Sequence, residues 1–543
     1  MDERSKLLPE TWHSNSSPQL GRGKDGDASP ILQSQTWGTG EVDREKVFDK
    51  EEIELGRISP CRRNAALGLI ATLSSTFFLL WVFRIPLPLS STSSTSTPSS
   101  VDAAAESQAI SQSLGIGIER SWGALSPYFA VEPYKEPPSG CKITQVNLLQ
   151  RHGARYPPPR ASQRIKTVIA KLQSAGHYRD HRLDFFRNYT SGLGITELMA
   201  FGGVEAQRTG QTAYERYKSI MSPDKPPFLR SSSARRVVES AGNWSMGFSL
   251  ASQQVYNPKI SVIIHESKRS NNTLDHKRCP NLGSAAEYVT AWTNVFAPPI
   301  ANRLNRLAPG ANITAVDISN LMAACALDTM HSFALSPICN LFTPKDFADY
   351  EYLADVEKYY NTGYGQPLGP VQGVGYINEL VARLSGSPVQ DNTQTNHTLD
   401  SSPVTFPLHQ TFYADFSHGN QMIAIYAALG LFKQDKPLDP ATRRLAGTKS
   451  KSKFKSRRWV ASWITSFSTG MVVERLECNR RLEHSRTHKR REGTFVRILV
   501  NDALQPLEFC GADVDGLCEL GRFVESQGYA RRNGDGDFER CIE

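Results

Sequence analysis

The densest chemistry in the chain lies in seven consecutive residues, Arg151-His152-Gly153-Ala154-Arg155-Tyr156-Pro157. Arginine guanidiniums present planar forks that match phosphate oxygens, and a glycine lets backbone approach an anion closely. An imidazole between two such cations can attack phosphorus as a nucleophile. The same cations disfavour the imidazolium, so His152 is expected to stay partly neutral in mildly acidic surroundings. A chance match to R-H-G-x-R-x-P in a chain this long is expected at roughly one in several thousand.

A second candidate segment runs over 411–420, Thr-Phe-Tyr-Ala-Asp-Phe-Ser-His-Gly-Asn. It reads as a strand leading into a helix that carries Met422, Ile423, Ile425, Tyr426 and Leu429. His418 would then sit at a helix N-terminus, where free amides and the dipole attract an anion. Asp415 is acidic, but side chains alternate along a strand, so it should point away from His418.

These segments need a scaffold. Residues 142–149 and 495–501 read as strands, with branched and aromatic residues bounded by turn formers. Ile165, Val168, Ile169 and Leu172 form one helical stripe, and Tyr288, Trp292, Val295 and Phe296 form another. Interleaved strands and helices imply an α/β fold. Residues 121–543 contain no long linker, so one large globular unit with a helical subdomain is expected there.

The rest of the chain differs in composition. Residues 1–63 hold 10 Lys plus Arg against 12 Asp plus Glu, so the whole-chain net charge of +8 leaves the remaining 480 residues at +10. That tail has almost no hydrophobic periodicity and reads as disordered and cytosolic. Residues 65–83 carry no charge, long enough for a helix to span a bilayer. Arg57, Arg62 and Arg63 precede it and only Arg84 follows closely, which predicts a type II signal anchor over 64–84. A Ser/Thr-rich stalk is expected over 85–120. Sequons at Asn188, Asn243, Asn271, Asn312 and Asn396 agree with a lumenal or extracellular outer domain, whereas the sequon at Asn15 should stay unmodified.

Eight cysteines lie beyond the anchor, implying four disulfides in an oxidising compartment, with 105 connectivities open to sequence alone. No CxxC pair or HExxH motif points to a metal, and no cofactor is expected. The basic run from Arg443 to Arg458 reads as a solvated loop insertion, because a nucleic-acid role does not fit the lumenal side. His484 and His488 are four apart among basic residues and read as exposed.

The chain resembles the histidine acid phosphatases, the second branch of the histidine phosphatase superfamily, and within them the fungal phytase group. The resemblance runs from about Gly140 to Cys541. It includes NTLD at 272–275, LSPICNLFT at 335–343, PLGPVQGVGYINELVARL at 367–384 and VRILVND at 496–502. It implies that His152 is the nucleophile of a phosphohistidine mechanism, that Arg151, Arg155 and Arg236 bind phosphate, and that His418 belongs to the same site. It also implies the disulfides Cys141–Cys478, Cys279–Cys541, Cys325–Cys339 and Cys510–Cys518. Arg160, Arg164, Lys166 and Lys358 fall where it puts a basic rim for a polyphosphorylated substrate such as phytate. Relatives often carry two basic residues before a Tyr-Tyr pair, whereas this chain has Glu357-Lys358.

One departure bears on turnover. The family has aspartic acid after the second histidine, as proton donor to the leaving oxygen, and this chain has Gly419. General-acid catalysis contributes roughly a hundred- to ten-thousand-fold. Binding is therefore expected to survive with turnover reduced, unless water or a substrate phosphate supplies the proton. The alternative expectation is a low-activity or inactive phosphate-binding surface protein.

Overall fold

The computed structural model describes residues 117–267, 270–443, 458–481 and 490–543. The tail, the expected anchor, nearly all of the expected stalk, most of the basic run, Asn15, His484 and His488 lie outside these residues. Among the described residues, no helix is long and apolar enough to cross a membrane. All of them belong to one compact unit.

Its centre is a mixed sheet built on β1 (Cys141–Arg151), β2 (Phe228–Ser232), β3 (Ile260–Ile264) and β4 (Phe412–Ser417), continued by β5 (Gly470–Arg481), β6 (Arg490–Val500) and β7 (Ala503–Leu504). The strand order is β3-β2-β4-β1-β5-β6-β7, and β8 (Cys518–Glu519) pairs with β6. The pairs from β3 through β1 are parallel, and those from β1 through β7 are antiparallel. The α/β expectation is met, with the antiparallel half as added detail.

Alternation along the strands decides what each face carries. Val146 and Leu148 of β1 and Phe412, Ala414 and Phe416 of β4 enter one apolar cluster with Trp244 and Phe248, while Leu149 and Tyr413 enter the cluster on the other face. Helices α1 (Pro159–Gln173), α2 (Ala200–Tyr217) and α3 (Arg235–Ala251) follow β1 and β2, and α2 packs closely on α3. A helical subdomain forms from α4 (Ala286–Leu307), α5 (Ala315–Ser332) and α6 (Pro344–Asn361), which pack with α1. Proline at the first position and a Thr343–Asp346 capping box start α6.

The first helical stripe is buried as expected, at Ile165, Val168, Ile169 and Leu172. The second needs one correction: Trp292 and Phe296 are buried, but Val295 is 48% exposed. It precedes Phe296 by one residue, about 100° around the helix, which carries it off the buried face. Asp415 follows the alternation argument, because it is fully buried and paired with Arg230 and Arg383. Arg230 also holds Glu379, at 2.6 Å, and Arg383 belongs to α7 (Val374–Ser385). The cysteines pair as Cys141–Cys478, Cys279–Cys541, Cys325–Cys339 and Cys510–Cys518.

Candidate active site

Parallel pairing brings four strand ends to one level. Arg151 is in register with Ser417, Ser231 with Phe416, and Ser232 with Ile264. The residues that follow these ends include His152, His418, Arg236 and Glu266, so distant parts of the chain meet at one edge. The carboxyl ends of parallel strands are where α/β sheets place ligands, since the backbone there turns away and leaves a crevice.

Backbone bonds hold the first histidine. The His152 N–H donates to the Ser417 carbonyl at 3.1 Å, and its own carbonyl accepts from Ser468 N–H at 3.1 Å. Nδ1 of His152 lies 2.9 Å from the Gly153 carbonyl. A carbonyl can only accept, so Nδ1 carries the proton and Nε2 keeps its lone pair. Gly153 is required by close approach: a Cβ there would fall inside the carbonyl of Gly202 on α2. Its N–H donates to Ser240 Oγ at 3.0 Å, tying the segment to α3.

The His152 and His418 rings meet edge to face with centroids 5.8 Å apart. Arg236 Nη2 lies 3.2 Å from His418 Nδ1, and His418 Nε2 lies 2.7 Å from Glu266 Oε1. An arginine can only donate and a carboxylate only accept, so His418 is the neutral tautomer with its proton on Nε2. Burial pulls His418 below its ordinary pKa, against the opposing pull of Glu266. Burial alone would raise the Glu266 carboxyl, but hydrogen bonds from His418 and Ser232 and the charge of Lys277 hold it well below the usual range.

The guanidiniums surround this pair. Arg151 is buried, its Nη1 donating to the carbonyls of Ala124, at 2.7 Å, and Thr465, with its plane over Phe467. Burial and the neighbouring Arg155 push it down to about 9. Burial and Arg236 push Arg155 down to about 10, and its Nη1 donates to the Tyr156 carbonyl at 2.8 Å. The Nε donors of Arg151, Arg155 and Arg236 are buried without a protein partner. Three unanswered cationic donors around one imidazole make a cradle suited to an anion. Burial, followed by Arg151, Arg155 and Arg236, drives the His152 pKa well below 6.5.

His418 is also the N-cap of α8 (Gly419–Leu429) and lends the helix no side-chain cap. Lys358 reaches the same end, with Nζ 2.7 Å from Asn420 Oδ1 and 2.8 Å from its neighbour Glu357. The structure does not draw Arg160, Arg164 and Lys166 into a tight cluster: they are exposed on α1, and Arg164 bonds Asn320. Thus Arg151, His152, Arg155, Arg236 and His418 converge, and Lys358 lies beside them. Sequence reasoning did not single out Glu266, Ser240, Asp275 or His276. Glu266 carried a usable signal, because it follows the end of a short apolar strand, and Asp275 lay within the NTLD segment.

The histidine phosphatase superfamily (branch 2) matches this chain over residues 142–501. The chain belongs to that family. Phytase A of Emericella nidulans is 38% identical over 434 residues, covering 77% of this chain and 90% of the relative. Phytase A of Aspergillus fumigatus is 38% identical over 431 residues, covering 76% and 89%. These relatives place the chain in the fungal phytase group of the histidine acid phosphatases. Among solved structures, the phytase from D. castellii covers 76% of this chain and 85% of its own, at TM-score 0.62 and 22% identity. A multiple inositol polyphosphate phosphatase of Bifidobacterium longum, in complex with inositol hexasulfate, covers 76% and 98% at TM-score 0.51 and 13% identity. At those identities the structural likeness speaks to the fold.

Proposed function

We propose that the chain is a membrane-anchored acid phosphomonoesterase that hydrolyses phytate or related phosphate monoesters through a phosphohistidine. The observation that carries this reading is the convergence of a deprotonated His152 Nε2 with three arginines whose buried Nε donors have no protein partner. In the first half-reaction Nε2 attacks phosphorus while Arg151, Arg155, Arg236 and the α8 amides take up the charge on the phosphoryl oxygens. In the second, water attacks the phosphohistidine and the imidazole leaves. His418, held neutral between Arg236 and Glu266, donates or accepts nothing further through its ring nitrogens and so orients the cradle. The names of the relatives and the neighbouring Lys358 support a substrate rich in phosphate. The 64–84 segment would anchor the enzyme with residues 121–543 outside the cytosol, and this rests on charge asymmetry and sequons alone.

A second reading, phosphate binding without turnover, is favoured by Gly419. Phosphate release by the full chain at mildly acid pH, from phytate beside a simple alkyl phosphate, separates the two. Turnover that His152→Ala abolishes supports the enzyme. Binding of inorganic phosphate with no release from either ester supports the second reading.

A further inference from the structure

Gly419 leaves the family's proton-donor position without an acid, yet the site contains two carboxyl groups that sequence reasoning did not consider. Glu266 and Asp275 each present an oxygen to a nitrogen of His418, all three atoms lying within 4.8 Å of one another. Their surroundings are opposite. Glu266 Oε1 accepts from His418 Nε2, Ser232 Oγ and the Ala234 N–H, and Oε2 accepts from Lys277 Nζ at 3.1 Å. With four donors aimed at it, this group is a fixed carboxylate. Asp275 is 3% exposed, and its Oδ1 is buried without a hydrogen-bond partner. His276 Nδ1 stands 3.6 Å from that oxygen, beyond hydrogen-bond reach.

We infer that Asp275 is the general acid of this enzyme, donating the proton that the family takes from the residue at position 419. This rests on the phosphohistidine reading above. As Nε2 of His152 forms its bond to phosphorus, the phosphorus–oxygen ester bond breaks and its electron pair passes to the alcohol oxygen. That oxygen takes the Asp275 proton and leaves as the alcohol. The resulting carboxylate then accepts a proton from the water that attacks phosphorus, the phosphorus–nitrogen pair returns to His152, and the acid is regenerated.

The charges facing Asp275 are consistent with a proton held there. Burial and Glu266 raise its carboxyl, while Lys277 and the His276 N–H pull the other way and lose. Arg236 on α3 also senses it. Beside it His276, pushed down to about 3 by burial and by Lys277 and Lys358, stays neutral and adds no charge. Two carboxyls whose surroundings drive their protonation apart are a general mark of an acid and its ionised companion.

The test is the leaving group. An alkyl alkoxide cannot depart without a proton, whereas 4-nitrophenolate can. Asp275→Asn in the full chain is expected to lower kcat/KM, which reports phosphoryl transfer to His152 and not the shared hydrolysis step, about a hundred- to ten-thousand-fold on glycerol phosphate, and less than about tenfold on 4-nitrophenyl phosphate, with partial recovery in Asp275→Glu. Equal losses on both substrates, or none, would overturn the assignment. Should the variant not fold, the wild type decides: the alkaline limb of kcat/KM must lie at lower pH for glycerol phosphate than for 4-nitrophenyl phosphate, and coincident limbs refute the proposal. His152→Ala is a separate control. Activity surviving there sinks the phosphohistidine reading itself, whatever Asp275 does.

Discussion

The glycine at 419 is more than a missing acid, and adding a single carbon there should show it. A Cβ at this position would stand 2.7 Å from Thr465 Oγ1, 3.0 Å from Arg151 Nε and 3.2 Å from Arg151 Cδ. Ordinary contact begins near 3.4 Å, so the neighbours must retreat by about 0.7 and 0.4 Å. Neither is free to do so: Thr465 is buried on α9 (Ala461–Thr465), and Arg151 is pinned by two carbonyls over the Phe467 ring. Overpacking of this kind costs about 1–3 kcal/mol. If Arg151 is the group that yields, its charge-assisted contact with phosphate weakens, worth about 1.5–3 kcal/mol. Gly419→Ala should therefore lower Tm by a few degrees in calorimetry and raise KM on an alkyl phosphate at least tenfold. Thr465→Ala in the same chain should return part of both, since Thr465 Oγ1 has no hydrogen-bond partner to lose. Gly419→Asp should share these losses instead of raising turnover. A Gly419→Ala protein with unchanged Tm and KM would refute this reasoning, and so would a Gly419→Asp protein that is simply faster.

Other outcomes follow from the same geometry. Stability should fall in acid for a reason the site itself supplies. His152 and His276 are neutral when folded but take protons when unfolded below about pH 6.5, and the Glu266 carboxylate loses its bonds as pH drops below the unfolded carboxyl range. His276→Phe should flatten the decline of Tm between pH 6.5 and about 3, a slope of order 1 kcal/mol per pH unit from that residue; an unchanged slope would count against its buried neutral state. Asp415→Asn removes the carboxylate shared by Arg230 and Arg383 and should cost about 3–5 kcal/mol, measurable as a lowered thermal midpoint even with substrate binding intact below it. Glu266→Gln should weaken the orientation of His418 and reduce kcat more than it raises KM; the reverse split would make Glu266 a substrate contact.

How much of this was legible in advance depends on how far apart the interacting residues lie in the chain. The Arg151–Pro157 segment announces phosphate chemistry because its residue types and order are local, and the strand ending at Arg151 and the helix opening at Gly419 follow from local alternation and periodicity. The same alternation correctly turned Asp415 away from His418. Local pattern could not tell that Val295 leaves its stripe, because a short apolar run does not say which face of the helix meets the core. Nor could it find the carboxyls. Glu266, Asp275 and His418 are brought together by the parallel register of β2, β3 and β4 and by the turn after β3, contacts that span up to 152 residues. The sequence by itself determined the chemical vocabulary of the site, the charge that would hold an anion, and the absence of an acid at position 419. Only the tertiary structure decided which carboxyl meets four donors and which has a buried oxygen that meets none, because that depends on burial and on donors arriving from separate strands, and neither is a property of any one segment.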